Sequence, residues 1–413
     1  MTSEYSIKRR HFYKGIEAFW ADLYDQEYAL YDLVLIDKNE LGKIHYASKR
    51  IGHIFLKAAS LLREAPDQTL LEMGFPKETL DFIRLSSKIP ESIISRLDLV
   101  AVNNTYKCIE LNADTPTFIK ELFEVNGKVC DHFGFLNPNE SMDKMLGSAV
   151  YSGILQAASE LKEKKPHIVF TAYEENQEDR ETVLYLQKLS GLPSRFVPLN
   201  KLVIKKDIGL FDDLEQKIDI LYRQTFPIEN LILDEDGQGN QIGIWLLDLV
   251  NTGKLVMLNP PSAFLLQNKA VQAVIWGLHI EKNTFFTYEE HDWVEEYFLP
   301  TFLEPDYFIK ENISYVKKPS YGREGDTVEI FGGNGLIEHP APQLNYTEYL
   351  PVYQQFVNMP SINFQSEKGM QEGHLLIGSF LLNGAPSAIG YRVGERITNN
   401  LSYYMPIGIK HGG

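Results

Sequence analysis

The sequence predicts an α/β protein with α+β elements, in which a Rossmann-like parallel-sheet unit lies between two regions that contain antiparallel strands. Two observations lead to this prediction. Residues 145–260 alternate strand and helix patterns with short connections, which is typical of a parallel sheet. On both sides of this stretch, pairs of strand patterns are joined by turns too short for a crossover, which is typical of antiparallel hairpins. We therefore expect three regions, 1–144, 145–260 and 261–413.

The first quarter of the chain has a helical pattern. In KIHYASKRIGHIFLKAASLL the apolar residues recur every three to four positions, which is the spacing of one helix face. These residues are Ile44, Ala47, Ile51, Phe55, Ala58 and Leu62. We expect a helix here whose apolar face is buried.

Two short strand patterns follow, LDLVAVNN and YKCIELNAD, and the turn-prone pair Asn103–Asn104 separates them. They predict a hairpin. Its second strand runs into IELNADTPTF, where oxygen-bearing side chains alternate at Glu110, Asn112 and Asp114. Such a pattern occurs in ordinary surface loops, and also at strand ends that hold a metal ion and a substrate carboxylate.

The hairpin carries candidate metal ligands. Glu110 and Asn112, at positions i and i+2 of one strand, point to the same face, and Arg96 and Asp98 likewise share a face of the first strand. Asp98 and Glu110 lie at different distances from the turn, so we do not expect them to pair directly across the strands. Asp98, Glu110 and Asn112 form a set of oxygen ligands suited to a Mg²⁺ ion that bridges phosphates. A polar outer face of a hairpin explains the same residues equally well.

Residues 145–260 contain the parallel-sheet pattern. PHIVFTAY is a continuous apolar strand, EDRETVLYLQKLSG is a helix that ends at Gly191, and SRFVPLN and KIDILYR are further strands. No G-x-G-x-x-G follows the first strand, and no G-x-x-x-x-G-K-S/T occurs in the chain. Dinucleotide-binding dehydrogenases and P-loop proteins are therefore disfavoured as function classes.

In the last third, the strand patterns SYVKKPS and TVEIFGG flank the connection YGREGD and predict a second hairpin. Lys318 ends the first strand, and Gly322–Gly325 follows shortly after. Backbone near two glycines can approach a phosphate closely and turn its N–H groups inward, while Lys and Arg supply positive charge. An ordinary hairpin with a solvated Arg–Glu pair is equally compatible with these residues.

The remaining candidate side chains are more ambiguous. Lys269 opens the helix pattern NKAVQAVIWGLH, Gln354 and Gln355 lie between apolar neighbours in VYQQFVNMP, and Arg392 lies in AIGYRVGERITNN. The glutamine segment is of a kind that can offer amide and backbone groups to an adenine ring. Taken singly, each is more typical of a solvated residue, a turn or a surface charge cluster.

Composition limits the partners that we expect. The chain has 40 basic and 56 acidic residues, a formal net charge of −16, which argues against non-specific nucleic-acid binding and is compatible with a cationic substrate. Two cysteines in 413 residues are too few for a disulfide framework. The start, MTSEYSIKRRHFYKG, has no apolar run behind its basic residues, and no apolar stretch approaches the ~20 residues of a membrane span. We expect a cytoplasmic protein without membrane or nucleic-acid partners.

Taken together and in order, these motifs resemble the synthetase domain of the glutathionylspermidine synthase family, a branch of the ATP-grasp ligases. The motifs are SRLDL, IELNADTPTFIKE, LLQNKAVQAVIWGLH, YVKKPSYGREGDTVEIF, YQQF and IGYRVGE, and they span residues 95–395. The resemblance implies an ATP-grasp fold. In it, 145–260 is the pre-ATP-grasp unit, 261–413 is the antiparallel nucleotide-binding region, and 1–144 is a helical region with the metal and substrate hairpin. Because the chain begins directly with the synthetase part, we expect the amidase domain of some members to be absent.

The resemblance also implies a role for each candidate residue. It implies that Mg²⁺ is bound by Asp98, Glu110 and Asn112. It also implies that Arg96 stabilises the transferring phosphoryl group and the acyl phosphate, and that Thr115 and Thr117 bind the carboxyl end of the substrate. It implies that the phosphates of ATP are bound by Lys269, Lys318 and Arg392. The loop that closes over the nucleotide would be Gly322, Arg323, Glu324 and Gly325, and the adenine side would be formed by Gln354 and Gln355.

The implied activity is ATP- and Mg²⁺-dependent ligation of a peptide-like carboxylate to an amine, with a polyamine as one candidate amine. Phosphoryl transfer needs mainly positioning and charge neutralisation, which suits a chain without a convincing Ser-His-Asp or Cys-His set. One alternative stays open, a nucleotide-binding protein of the same fold that lacks turnover and acts as a sensor or partner subunit. Arg96 and Thr115 argue against it, because ATP binding alone does not need them.

Overall fold

The structure is a computed structural model that describes residues 3–163, 165–224 and 226–410. Its α-helices are α1 (Glu4–Lys14), α2 (Lys38–Arg63), α3 (Asp67–Glu72), α4 (Leu80–Ile83), α5 (Asn126–Phe133), α6 (Met142–Glu160), α7 (Gln177–Ser190), α8 (Ile228–Leu231), α9 (Ile242–Asn251), α10 (Phe264–Gln267), α11 (Val271–Ile280), α12 (Tyr288–Tyr297) and α13 (Asp306–Lys310). Its strands are β1 (Asp22–Leu23), β2 (Gln26–Glu27), β3 (Val34–Ile36), β4 (Ile94–Val102), β5 (Thr105–Asn112), β6 (Ile168–Thr171), β7 (Arg195–Phe196), β8 (Val203–Lys205), β9 (Gly209–Phe211), β10 (Lys217–Ile218), β11 (Ile220–Arg223), β12 (Val256–Leu258), β13 (Thr301–Phe302), β14 (Tyr315–Pro319), β15 (Glu329–Phe331), β16 (Ile337–His339), β17 (Pro351–Gln355), β18 (Ser361–Ser366), β19 (Gly369–Leu382), β20 (Ala385–Gly394), β21 (Tyr403–Met405) and β22 (Ile407–Ile409).

The sheets confirm the predicted α/β class with both parallel and antiparallel parts. A six-stranded antiparallel sheet has the order β21-β20-β19-β4-β5, and β18 pairs with the first half of β19. A five-stranded antiparallel sheet has the order β13-β17-β14-β15-β16. A four-stranded parallel sheet has the order β12-β11-β6-β7. Strands that are distant in sequence are therefore neighbours in the antiparallel sheets, and this brings the predicted motifs together.

The helix predicted in the first quarter is present as α2. Its apolar positions are buried as expected, and it packs against β19 and β20 and against α10, α11 and α12. The side chain of Asp37 caps its first turn by accepting a hydrogen bond of 2.6 Å from the backbone N–H of Glu40. The helix thus joins the six-stranded sheet to the helices that lead into the last third of the chain.

The predicted hairpin is formed by β4 and β5, but its register differs from our expectation. Asn103 and Asn104 both have positive φ, 48° and 66°, as a two-residue type I′ turn requires. Beyond Leu99, which faces Cys108, the strand β5 contains one extra residue, Ile109. This β-bulge brings Asp98 directly opposite Glu110. The expectation that these two residues would not pair was therefore wrong, because a count from the turn cannot include a bulge.

The parallel sheet also follows the sequence prediction. α7 ends at Ser190, and Gly191 takes the left-handed conformation, with φ 63°, that commonly ends a helix. The segment KIDILYR is divided, because Lys217–Ile218 pairs with β9 in a small antiparallel sheet while β11 enters the parallel sheet. The end of β11 lies next to the segment that follows Asn112, because Arg223 pairs with Asp114 and Gln224 donates to the carbonyl of Pro116 at 2.8 Å.

The second predicted hairpin is confirmed as β14 and β15, which pair antiparallel with Lys317 opposite Glu329. β17 pairs with the other edge of β14, so that Lys318 and Gln354 lie on neighbouring strands. In the described part of the chain, no helix combines the length and the apolar character needed to cross a membrane.

Candidate active site

One cavity of about 240 Å³ is lined by residues of both large antiparallel sheets and of the segments between them. All the residues that the sequence predicted for a site line this cavity. They are Arg96, Asp98, Glu110, Asn112, Thr115, Thr117, Lys269, Lys318, Gly322, Arg323, Glu324, Gly325, Gln354, Gln355 and Arg392. From Arg96 to Arg392 these residues span almost 300 positions of the chain, so the fold, and not the local sequence, brings them together.

Arg96 and Asp98 form a buried ion pair on β4. The Arg96 guanidinium donates two hydrogen bonds to the carboxylate, Nε to Oδ1 at 2.7 Å and Nη2 to Oδ2 at 3.1 Å. Its Nη1 donates to the backbone oxygen of Thr117 at 2.9 Å. Both charged side chains are at most 6% exposed. The guanidinium is thus fixed in direction, and it lies between the predicted metal ligands and the predicted substrate segment.

The predicted metal ligands Asp98, Glu110 and Asn112 lie within contact distance of one another. The Asn112 amide nitrogen is 3.5 Å from Oδ2 of Asp98 and 3.4 Å from Oε1 of Glu110. If the side-chain amide of Asn112 is rotated by 180°, its oxygen instead of its nitrogen faces Asp98 and Glu110. The three side chains would then offer three oxygen ligands to one cation, and phosphate oxygens would complete its coordination. Within the described residues no group of three His, Cys, Asp or Glu side chains forms a metal site. The donor set of two carboxylates and one side-chain amide is of the oxygen-rich kind that fits a hard cation.

Glu110 faces two lysines. The Lys269 ammonium lies 3.4 Å from its Oε2, and Lys318 donates to the carbonyl of Ile109 at 2.9 Å. Burial alone would raise the pKa of Glu110, but Lys269, Lys318 and Arg96 outweigh burial and hold that pKa at about 2. Burial lowers the pKa of Lys318 to about 8, although Glu110 opposes the change. The site therefore contains an ionised carboxylate beside two amines, a distribution suited to a metal–phosphate complex.

The glycine loop, Gly322–Gly325, is held from two sides. The Lys269 ammonium donates to the carbonyl of Gly322 at 2.9 Å, and Nη2 of Arg323 donates to the Thr115 hydroxyl at 3.3 Å. Gly325 has φ 71°, and a Cβ atom there would lie 2.7 Å from the side chain of Ile397. Glycine is required at this position for its conformation and for the close approach of residues 397–398.

The glutamine pair has two different environments. The amide of Gln354 is buried and bonds Lys318 at 2.8 Å, Gln272 at 3.1 Å and Thr301 at 3.1 Å. Its contacts hold Lys318 in place. Gln355, the last residue of β17, leads into an apolar part of the wall. This part consists of Val316, Ile330, Phe356, Val357, Met359 and Leu376. An aromatic base fits such a surface.

The cavity wall near Arg392 contains residues that the sequence did not single out. Arg392 donates to the carbonyl of Asn399 at 2.6 Å, and Glu178, Tyr24 and Tyr28 line the wall near it. Burial, together with the carboxylates of Glu121 and Asp179, raises the pKa of Glu178 to about 8. Glu178 lies in the first turn of α7, where acidic residues are common, so the pattern EENQEDRE indicated only a helix start.

Asp114, the third alternating residue of IELNADTPTF, has a structural contact that the sequence could not indicate. Its carboxylate pairs with the buried Arg223 at the end of β11. It also accepts from the backbone N–H of Ile228 at 3.4 Å. Asn259 donates to the carbonyl oxygens of Ala113 and Asp114, both at 2.9 Å. These bonds join the segment that carries Thr115 and Thr117 to the edge of the parallel sheet.

Comparison with known proteins agrees with this architecture. Residues 11–410 match the family model described as glutathionylspermidine synthase preATP-grasp. A Haemophilus influenzae protein that carries the provisional name acid–amine ligase is 24% identical over 326 residues, which cover 76% of this chain and 74% of that protein. The structure of a glutathione synthetase-like effector from Globodera pallida superposes with a TM-score of 0.57 at 12% identity, covering 92% of this chain and 89% of that one. The last of these comparisons concerns the fold alone.

Proposed function

The chain belongs to the glutathionylspermidine synthase pre-ATP-grasp family, and from this premise we propose that it is an ATP- and Mg²⁺-dependent carboxylate–amine ligase. The observation that carries the proposal is the convergence on one cavity of a buried arginine, a set of three oxygen donors and two lysines. Binding ATP would need only part of this set. A guanidinium fixed between the metal ligands and the substrate segment is suited to a reacting phosphoryl group.

The proposed reaction has two steps. A carboxylate oxygen of the first substrate attacks the γ-phosphorus of ATP, the bond to ADP breaks, and an acyl phosphate forms. An amine nitrogen then attacks the acyl carbon, phosphate leaves, and the nitrogen loses a proton to give the amide. Lys269 and Lys318 hold the phosphates, Arg96 faces the transferring group, and Thr115 and Thr117 orient the carboxylate. When bound at Asp98, Glu110 and Asn112, Mg²⁺ neutralises phosphate charge.

The amine is proposed to enter at the end of the cavity where Glu178 and Glu324 lie. Tyr24 and Tyr28 line the same region. Carboxylates and aromatic faces both attract an ammonium group. Arg392 lies near Glu178 and opposes a second cation there, so the attraction depends on both carboxylates being ionised. A polyamine is the amine class that we propose to test first.

The proposed amine region predicts a pH dependence. Glu178 has a pKa of about 8, so in the free protein it is mostly protonated at pH 6.5 and ionises as the pH rises. Because only the carboxylate attracts an ammonium group, affinity for spermidine should increase by up to about tenfold between pH 6.5 and 8.5. Calorimetric titration at several pH values measures this increase. The increase should be absent in Glu178→Gln and retained in Glu175→Gln, which changes a nearby exposed residue. The same increase of spermidine affinity with pH in all three proteins would contradict the assignment of Glu178 to the amine region.

The ligase proposal itself is tested by ADP release in a screen of peptide carboxylates against amines, with MgATP present. We expect ADP release that requires both substrates, together with amide formation detected by mass spectrometry. MgATP binding without turnover for any pair would support the alternative of a sensor or partner subunit.

The glycine loop is expected to become more ordered when nucleotide binds. Its two glycines provide little intrinsic rigidity, and its side-chain contacts to the rest of the site are those of Lys269 with Gly322 and of Arg323 with Thr115 and Glu229. Hydrogen–deuterium exchange of residues 321–326 should slow by at least about tenfold on addition of MgATP, as it does when a segment gains a few hydrogen bonds. Equal exchange in the free and bound states would show that the loop does not close over the nucleotide.

A further inference from the structure

Glu229 is a buried carboxylate beside the glycine loop, on α8 next to the parallel sheet. It is 1% exposed, and within the described residues it forms one ion pair, from its Oε1 to Nε of Arg323 at 3.4 Å. Its other oxygen, Oε2, has no hydrogen-bond partner among these residues. A buried carboxylate is costly unless a cation or hydrogen bonds compensate it. Arg323 is therefore the residue that makes the position of Glu229 tolerable.

The position of Glu229 is fixed relative to the substrate segment. Asp114 accepts a hydrogen bond from the backbone N–H of Ile228, the residue before Glu229, and Asp114 is itself the residue before Thr115. The ion pair between Arg223 and Asp114 strengthens this junction. Glu229 and the Thr115 hydroxyl consequently belong to one connected part of the structure.

Arg323 reaches both of these groups at once. Its Nε faces Glu229 while its Nη2 donates to the Thr115 hydroxyl at 3.3 Å. Burial opposes the charge of Arg323, but Glu229 and Asp114 more than compensate and raise the pKa of its guanidinium. The side chain of this loop residue is therefore directed towards Glu229 and the substrate segment.

We propose that Glu229 is a positioning residue that fastens the glycine loop to the parallel-sheet unit and, through Arg323, completes the subsite for the carboxylate substrate. Closure of the loop then depends on this contact as well as on the nucleotide. The consequence for catalysis rests on the proposed ligase function, whereas the fastening itself does not.

The fastening is tested first without any substrate. Glu229→Gln keeps the size of the side chain and removes its charge, so hydrogen–deuterium exchange of residues 321–326 should become about tenfold faster, the effect of losing one charge-assisted hydrogen bond. Arg323→Gln should have the same effect, and the double variant should be no worse than either single variant. Glu235→Gln, an exposed acid of the same unit, is the matched control and should change nothing. Unchanged exchange in folded Glu229→Gln or in Arg323→Gln would overturn the proposal.

The effect on substrate binding is tested separately in the ligation assay. Glu229→Gln should raise the KM for the carboxylate about tenfold and leave the KM for ATP within about twofold, because Arg323 contacts the hydroxyl of Thr115 in the proposed carboxylate segment. Glu229→Asp should recover part of the loss. A purely structural role would instead lower activity with both KM values changed alike, and that result would contradict the proposed subsite. If the loop of Glu229→Gln exchanges faster but the wild-type protein shows no ligation, the ligase function is refuted while the fastening of the loop by Glu229 stands.

Discussion

Glu110→Gln is expected to abolish ligation while leaving the fold intact. The substitution keeps the shape of the side chain and removes the charge that faces Lys269 at 3.4 Å and that would bind Mg²⁺ together with Asp98 and Asn112. Without this carboxylate the proposed Mg²⁺ ion would be lost, and loss of a cation that neutralises phosphate charge lowers phosphoryl transfer by at least about 10³-fold. ADP release by the variant should therefore fall below detection, and tight ATP binding that depends on Mg²⁺ should be lost with it.

The matched control is Glu372→Gln, an exposed carboxylate on β19 of the same sheet. It should keep full turnover and the same dependence on Mg²⁺. Thermal unfolding of both variants separates loss of function from loss of structure, because Glu110→Gln leaves Lys269 and Lys318 without their shared counter-ion and should lower stability by up to about 3 kcal/mol. Normal turnover in folded Glu110→Gln would show that the metal lies elsewhere.

The helices and the hairpins were predictable from the sequence because each depends on neighbouring residues. The apolar period of α2, the paired asparagines between β4 and β5 and the left-handed Gly191 are local signals. The alternation of strand and helix likewise gave the parallel sheet, because short connections leave few other arrangements. The order of strands in the antiparallel sheets had no such signal, since β19 reaches β4 across more than 260 residues.

The site could be predicted only as far as its motifs are local. The bulge at Ile109 leaves no mark in the apolar pattern, yet it decides that Asp98 faces Glu110. Arg223 and Glu229 are ordinary residues in the sequence, and their partners Asp114 and Arg323 lie about 100 positions away. The buried amide of Gln354, bound to Lys318, is likewise a consequence of strand pairing. In each case tertiary contacts, which no local pattern contains, determine the role of the side chain.

Arg96 is expected to separate catalysis from nucleotide binding. Its guanidinium is held by Asp98 and by the backbone oxygen of Thr117, and it lines the cavity that Lys269 and Lys318 also line. In the proposed reaction it would meet charge that develops on the transferring phosphoryl group and on the acyl phosphate. Interactions made mainly in the transition state raise the rate without tightening ground-state binding.

Arg96→Ala should accordingly leave the dissociation constant of MgATP within a few-fold and lower turnover by roughly 10³-fold, as with other arginines of phosphoryl transfer. The same change leaves Asp98 buried without its counter-ion, which costs about 3–5 kcal/mol of stability. For this reason the variant must first be shown to be folded at the assay temperature by its thermal unfolding curve. Calorimetric titration with a non-hydrolysable ATP analogue and Mg²⁺ then gives the affinity, and ADP release gives the turnover.

Arg96→Lys separates the loss of catalysis from this loss of stability. A lysine keeps a positive charge beside Asp98, so the variant should recover most of the stability. It should recover little of the turnover, because one ammonium group cannot copy the two-point contact of a guanidinium with a carboxylate or with phosphate oxygens. Turnover restored together with stability would make Arg96 a structural counter-ion of Asp98. Loss of MgATP affinity in both variants would instead make it a ground-state anchor of the nucleotide. A guanidinium that acts in the transition state requires that Arg96→Lys is stable, binds MgATP normally and shows little turnover.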